Sequence, residues 1–198
     1  MSKTIQILCL AILLPLLAAC ATSGKPVNKD NSPQGDAVIS SKALAMGAAQ
    51  CPSVGIVEDL RSMTLFTDNA HPAPEEVIGY GKIDDFDGGC VYEAGGVAMD
   101  IDLMFSARIG AKAKTGRGDP SIAFPYFIAI SDDQGNILNK EVFATAIRFN
   151  EGLESAHQVE HLKPRIPLNN PALGPKYQVL VGFQLNREQL QFNRGGTQ

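Results

Sequence analysis

Through most of this chain apolar and polar residues alternate, and the alternation is sharpest from Val97 to Ile109. There Val97, Met99, Ile101, Leu103, Phe105, Ala107 and Ile109 share one face, while Ala98, Asp100, Asp102, Met104, Ser106 and Arg108 share the other. Successive side chains of a strand point to opposite faces, so the period of two predicts a long half-buried strand. Phe124 to Ser131 repeats the pattern with Phe124, Tyr126, Ile128 and Ile130 on one face. Asp132-Asp133-Gln134-Gly135-Asn136 follows with turn chemistry, so Ile137 to Phe149 is expected to return as the second arm of a hairpin. In that arm the apolar set moves from Leu138, Val142 and Ala144 to Phe143, Thr145, Ile147 and Phe149, a change of face that suggests a bulge. Tyr177 to Leu185 is the last clear strand, with Tyr177, Val179, Val181, Phe183 and Leu185 aligned.

Weaker strands are expected at Val54 to Val57, Arg61 to Phe66, Val77 to Ile83 and Cys90 to Glu93. Val159 to Leu168 is interrupted by Pro164 and Pro167, which demotes it to an edge or irregular strand. Asn186-Arg187-Glu188-Gln189 has the form of a capping box and predicts a short terminal helix through Phe192. About seven or eight strands with almost no helix imply two packed sheets or a barrel. The expected fold class is all-β, with the domain at 51–193 and a tail at 194–198.

The N-terminus follows a different pattern. Lys3 is followed by an almost wholly apolar run from Ile5 to Leu17, then by Ala18, Ala19 and Cys20. That is the layout of a secretory signal, too short to span a bilayer, which needs about 20 apolar residues, and interrupted by Pro15. Leu17-Ala18-Ala19-Cys20 resembles the lipobox of bacterial lipoproteins, which implies removal of residues 1–19 and acylation of Cys20. Ala21, rather than Asp, after the cysteine then implies the outer membrane, and several acyl chains would make the anchoring stable. The alternative is an ordinary signal peptide cut after an Ala-x-Ala-like site. Residues 20–50 are expected to form the lipidated cysteine and a flexible tether, because Thr22 to Asp36 offers little to bury and Ser40 to Gln50 makes at most two weak helical turns.

Composition narrows the function classes. The net charge is −4, one unit more negative once the signal and its Lys3 are gone, and the chain has no Trp and no basic run. Nucleic-acid binding, which is built on clustered Lys and Arg, is not expected. Cys51 and Cys90 are the pair left for disulfide chemistry in an oxidising compartment; two free buried thiols are the alternative.

The spacing and order of strong strands resemble an immunoglobulin or fibronectin type III sandwich. Tyr177, after the Pro-rich segment Asn169 to Pro175, sits where such folds place a corner tyrosine. The whole chain is also similar to small uncharacterised envelope lipoproteins of Gram-negative bacteria, a likeness that implies no activity.

Four motifs carry candidate chemistry. His157-Gln158-Val159-Glu160-His161 matches H-x-x-E-H, in which a helix would put two histidines on one zinc and a glutamate beside it as base. Pro164 and Pro167 follow at once and argue for a strand, which favours an ordinary solvated edge and leaves His157, Glu160 and His161 as candidate metal ligands. Asp84-Asp85-Phe86-Asp87-Gly88-Gly89 has the carboxylates of a calcium loop without its full spacing and reads as an acidic turn. Asp100 and Asp102 read as a solvated strand face. Arg117-Gly118-Asp119 matches the integrin tripeptide, which a periplasmic protein would not present to its receptor. No cofactor and no catalytic residue is expected.

The expectation is therefore an outer-membrane-anchored lipoprotein whose periplasmic sandwich is a non-catalytic binding or structural module in an envelope protein assembly. Its partners are the membrane, through Cys20, and other envelope proteins, with contacts expected at Gly110 to Pro120 and Leu153 to Pro175. A metal-binding protein or metal-dependent hydrolase using His157 and His161 is one alternative; a small-ligand or glycan-binding module is another.

Overall fold

The structure is a computed structural model that describes residues 39–42, 45–46, 49–113 and 120–195. Its strands are β1 (Ile39–Lys42), β2 (Ala45–Met46), β3 (Ala49–Gln50), β4 (Ser53–Val57), β5 (Ser62–Phe66), β6 (Val77–Glu93), β7 (Gly96–Ile109), β8 (Ser121–Ser131), β9 (Ile137–Arg148), β10 (Ser155–Leu162), β11 (Arg165–Pro167) and β12 (Gln178–Phe183), followed by helix α1 (Arg187–Gly195). One sheet has the order β1-β4-β12-β8-β9. The other has the order β10-β7-β6-β5, with β11 also on β7, and β2 pairs with β3 alone. Pairing is antiparallel except between β4 and β12, so the chain is an all-β sandwich closed by a short C-terminal helix. The second sheet contains a meander of three consecutive strands, β5, β6 and β7.

The core follows from the alternation. Val97, Met99, Ile101, Leu103 and Phe105 of β7 meet Phe124, Tyr126, Val179, Val181 and Phe183 of the opposite sheet, all buried. Aromatic rings bridge the layers: Phe105 lies 5.2 Å from Tyr126 and 5.9 Å from Phe183, in the tilted geometry such rings favour. α1 is opened by the reciprocal bonds of a capping box. Asn186 Oδ1 accepts from the Gln189 backbone N–H at 2.7 Å, and Gln189 Oε1 accepts from that of Asn186 at 3.0 Å. Gln189 is itself buried, donating to the Thr64 carbonyl at 3.0 Å, while Phe192 packs edge-on against Phe66. Cys51 and Cys90 form a disulfide with Cα atoms 5.7 Å apart. It ties the residues before β4 to the C-terminal part of β6.

Several expectations are corrected. The tether was expected to run to Gln50, but among the described residues pairing is present from Ile39, where β1 runs antiparallel to β4 from Ile39↔Val57 to Lys42↔Val54. An exposed β4 edge is a template, and backbone pairing on it outweighs the weak local propensity of Ile39 to Lys42. Asp84 to Gly89 is not a turn but the centre of β6, because β7 is long enough to pair with β6 from Gly79 to Glu93. A register shift between Ile83 and Asp85 absorbs one extra residue, and Arg61 Nη1 donates to the Ile83 and Asp84 carbonyls there, at 3.2 and 3.0 Å. The bulge expected in the middle of β9 lies instead near its start. Ile130 pairs with Asn139 and Ser131 with Ile137, which leaves Leu138 extra. The signal segment, Cys20 and Arg117-Gly118-Asp119 lie outside the described residues.

Candidate functional site

β9 is the margin of the first sheet and β10 the margin of the second, and the two meet at one point. Buried Thr145 Oγ1 donates to Glu160 Oε1 at 2.7 Å. Beyond it, towards Arg148, β9 belongs to the sandwich, with Ile147 and the following Phe149 fully buried. Before it, from Ile137 to Ala144, every residue is exposed, on both faces of the strand.

In the opposite sheet β10 and β11 follow β7 in one register, from Ser155↔Arg108 through Leu162↔Ile101 to Pro167↔Gly96, and the Pro164 carbonyl between them accepts from the Met99 N–H at 2.9 Å. Between this margin and the inward side of β9 lies a cleft of about 470 Å³, lined by Ile128, Ile130, Glu141, Phe143, His161 and Lys163 among others. Asn139 Nδ2 donates to Glu141 Oε1 at 3.1 Å within it, and Phe143 stacks on Tyr126 at 5.7 Å. Burial, and then the Glu160 carboxylate, push the Tyr126 phenol up to about 12.

The apolar residues of this arm are unusually open for a strand. Leu138 and Val142 keep 55% of their surface and Phe143 keeps 39%. Leu138 and Val142 lie on the outer side; Val142 is paired with Phe127 of β8, which is capped by Lys140 with its ammonium 4.3 Å from the ring centroid. A long edge with unpaired backbone groups and apolar side chains is a surface on which another strand can form.

The residues singled out from the sequence are distributed as follows. His157 and His161 share the outer face of β10, opposite Ser106 and Asp102 of β7, with Val159 between them. His161 Nδ1 faces Asp102 Oδ1 at 2.5 Å, and both side chains are exposed. Glu160 points to the other face, towards Thr145, so the strand splits the H-x-x-E-H motif. Among the described residues no group of three or more His, Cys, Asp or Glu is placed to hold a metal ion. Asp100 is 3.9 Å from Lys163 and Asp102 is opposed by Asp87, both on that solvated face. Of the two expected contact regions, residues 114–119 fall outside the described residues, while Leu153 to Pro175 contains β10 and β11 and supplies one wall of the cleft.

Sequence reasoning missed the β9 edge itself. The signal was present in Leu138 and Val142, which lie on the face opposite Thr145 and Ile147. Among the described residues no helix is long and apolar enough to cross a membrane. No protein-family model, curated protein or solved structure matches the chain.

Proposed function

We propose that this protein is a lipid-anchored, non-catalytic docking module of the bacterial outer membrane, and that β9 is the edge on which other protein chains dock. The observation that carries the reading is the exposure of both faces of Ile137 to Ala144. An incoming strand would gain main-chain hydrogen bonds along the edge and side-chain contacts with Leu138, Val142 and Phe143. The cleft beside it has the volume of a ligand pocket but is open along β9, as suits side chains of an added strand. The Leu17-Ala18-Ala19-Cys20 resemblance supports the anchor, and Ala21 supports the outer membrane.

The test is site-specific photo-crosslinking of the full-length protein in intact cells, with the crosslinking residue at Val142 or, as control, at Val91, which is more open still and lies on the other sheet. Discrete protein adducts at Val142 and not at Val91 are expected. Absence of adducts at Val142 overturns the reading. The anchor is tested separately: Cys20→Ser should abolish incorporation of labelled fatty acid and release the protein from the membrane fraction.

A further inference from the structure

We infer that the occupant of the β9 edge is β9 of a second copy of this chain, paired antiparallel about a two-fold axis at Lys140. The inference rests on the reading of β9 as a docking edge and names its partner.

A two-fold axis perpendicular to an antiparallel sheet passes between one residue and its own copy, so the choice of that residue sets every other pair. With Lys140 on the axis, Leu138 opposes the second copy's Val142 and Asn139 opposes the second copy's Glu141, each twice. The apolar pair lies on the outer side and the amide–carboxylate pair on the inner side, where directly opposed side chains interact. Ile137, opposite Ser131 and so carried to the outer side by the bulge, shares the cross-strand site of Leu138 and adds a second apolar side chain there opposite the second copy's Val142. Neighbouring axes fit less well. An axis at Glu141 opposes two carboxylates, and one at Val142 sets Glu141 against Phe143.

The objection to Lys140 is that two lysines become direct neighbours. Their charges, however, do not meet. Each ammonium leans back over Phe127 of its own β8. Three strand spacings then separate the two groups, about 14 Å. That exceeds the screening length of about 8 Å at physiological salt, so the repulsion is small. On the inner side the second copy's Glu141 arrives over the cleft, where His161, Lys163 and Arg165 are already paired with Asp102, Asp100 and Glu93, so its partner there is Asn139. The free stretch ends where Thr145 is fastened to Glu160, so the pairing fills the open part of β9 and stops at the closed part. The product is one continuous sheet across two sandwiches.

Disulfide trapping in the full-length protein tests this. Opposed residues have Cβ atoms about 5 Å apart, close enough to bridge after small adjustments. Lys140→Cys protein should form a disulfide-linked dimer on mild oxidation. Leu138→Cys and Val142→Cys should each stay monomeric alone and link when mixed. All three positions are exposed, so folding is not at stake. The inference is overturned if Lys140→Cys stays monomeric, or dimerises no faster than a Val91→Cys control. It is also overturned if a crosslinker at Val142 captures only a different protein, an outcome that leaves β9 as a docking edge. Absence of any adduct at Val142 sinks both.

Discussion

Thr145 and Glu160 are the hydrogen-bonded pair that fastens the margin of one sheet to the margin of the other, Oγ1 to Oε1 at 2.7 Å. Thr145 is fully buried while Glu160 is half-buried, so the bond sits at the mouth of the core. On one side of it β9 packs inside the sandwich; on the other it stands free.

Thr145→Val keeps the shape and removes the donor. A net loss of about 1 kcal/mol is expected, because Glu160 can still be hydrated. The informative readout is local. Amide exchange at residues 141–146 should quicken while exchange in β7 and β12 stays unchanged. Unaltered exchange on β9 would show that the bond does not hold the strand.

Tyr126 makes the fold sensitive to alkali. Its phenol is held protonated up to about 12, first by burial and then by the Glu160 carboxylate. An unfolded tyrosine loses its proton near 10. The group therefore adds stability fully present below pH 10 and lost as pH rises through 12, in total about 3 kcal/mol. Tyr126→Phe should flatten the fall in denaturation free energy between pH 10 and 12. A residual slope is expected from Tyr92, whose phenol burial also raises. An equally steep fall in the variant would remove Tyr126 as the cause.

Much of the fold could be read along the chain because alternation and burial share one cause. Val97 to Phe105, Phe124 to Ile130 and Val179 to Phe183 have their apolar face in the core as expected. The reading failed where backbone pairing overrode local signals. Asp84 to Gly89 has the composition of a turn, yet β7 pairs with it throughout, and the glycines and acids are accommodated by a bulge and a positive φ. Ile39 to Lys42 carries almost no strand signal and is ordered by the β4 edge. The β9 edge was hidden for another reason. Periodicity tells which residues share a face, but not that a cleft separates the inner face of β9 from the margin formed by β10 and β11.

Gly88 makes that long β6 possible. Its φ is +140°, and a Cβ placed there would lie 1.9 Å from the Asp100 carbonyl oxygen, a backbone atom that cannot swing aside. Gly88→Ala combines backbone strain with a main-chain clash, so a loss of about 3 kcal/mol or more is expected. Gly135→Ala gives the contrast. Gly135 also has a positive φ, +82°, but no atom lies within 4 Å of its Cβ position, so strain alone should cost about 1 kcal/mol. Equal losses in chemical denaturation would mean that the Asp100 contact is relieved by movement of β7.

The disulfide closes a sequence separation of 39 residues, and both cysteines are buried. Restricting the unfolded chain over such a loop stabilises the fold by about 4 kcal/mol on the chain-entropy account. Cys51→Ala with Cys90→Ala should lower the denaturation midpoint accordingly. Reductant should shift the native protein towards the variant's midpoint and leave the variant unmoved. Thiol labelling of the denatured, unreduced chain should find Cys51 and Cys90 blocked. Labelling at both positions would mean that the bridge is not formed, and reductant should then have no effect on either protein.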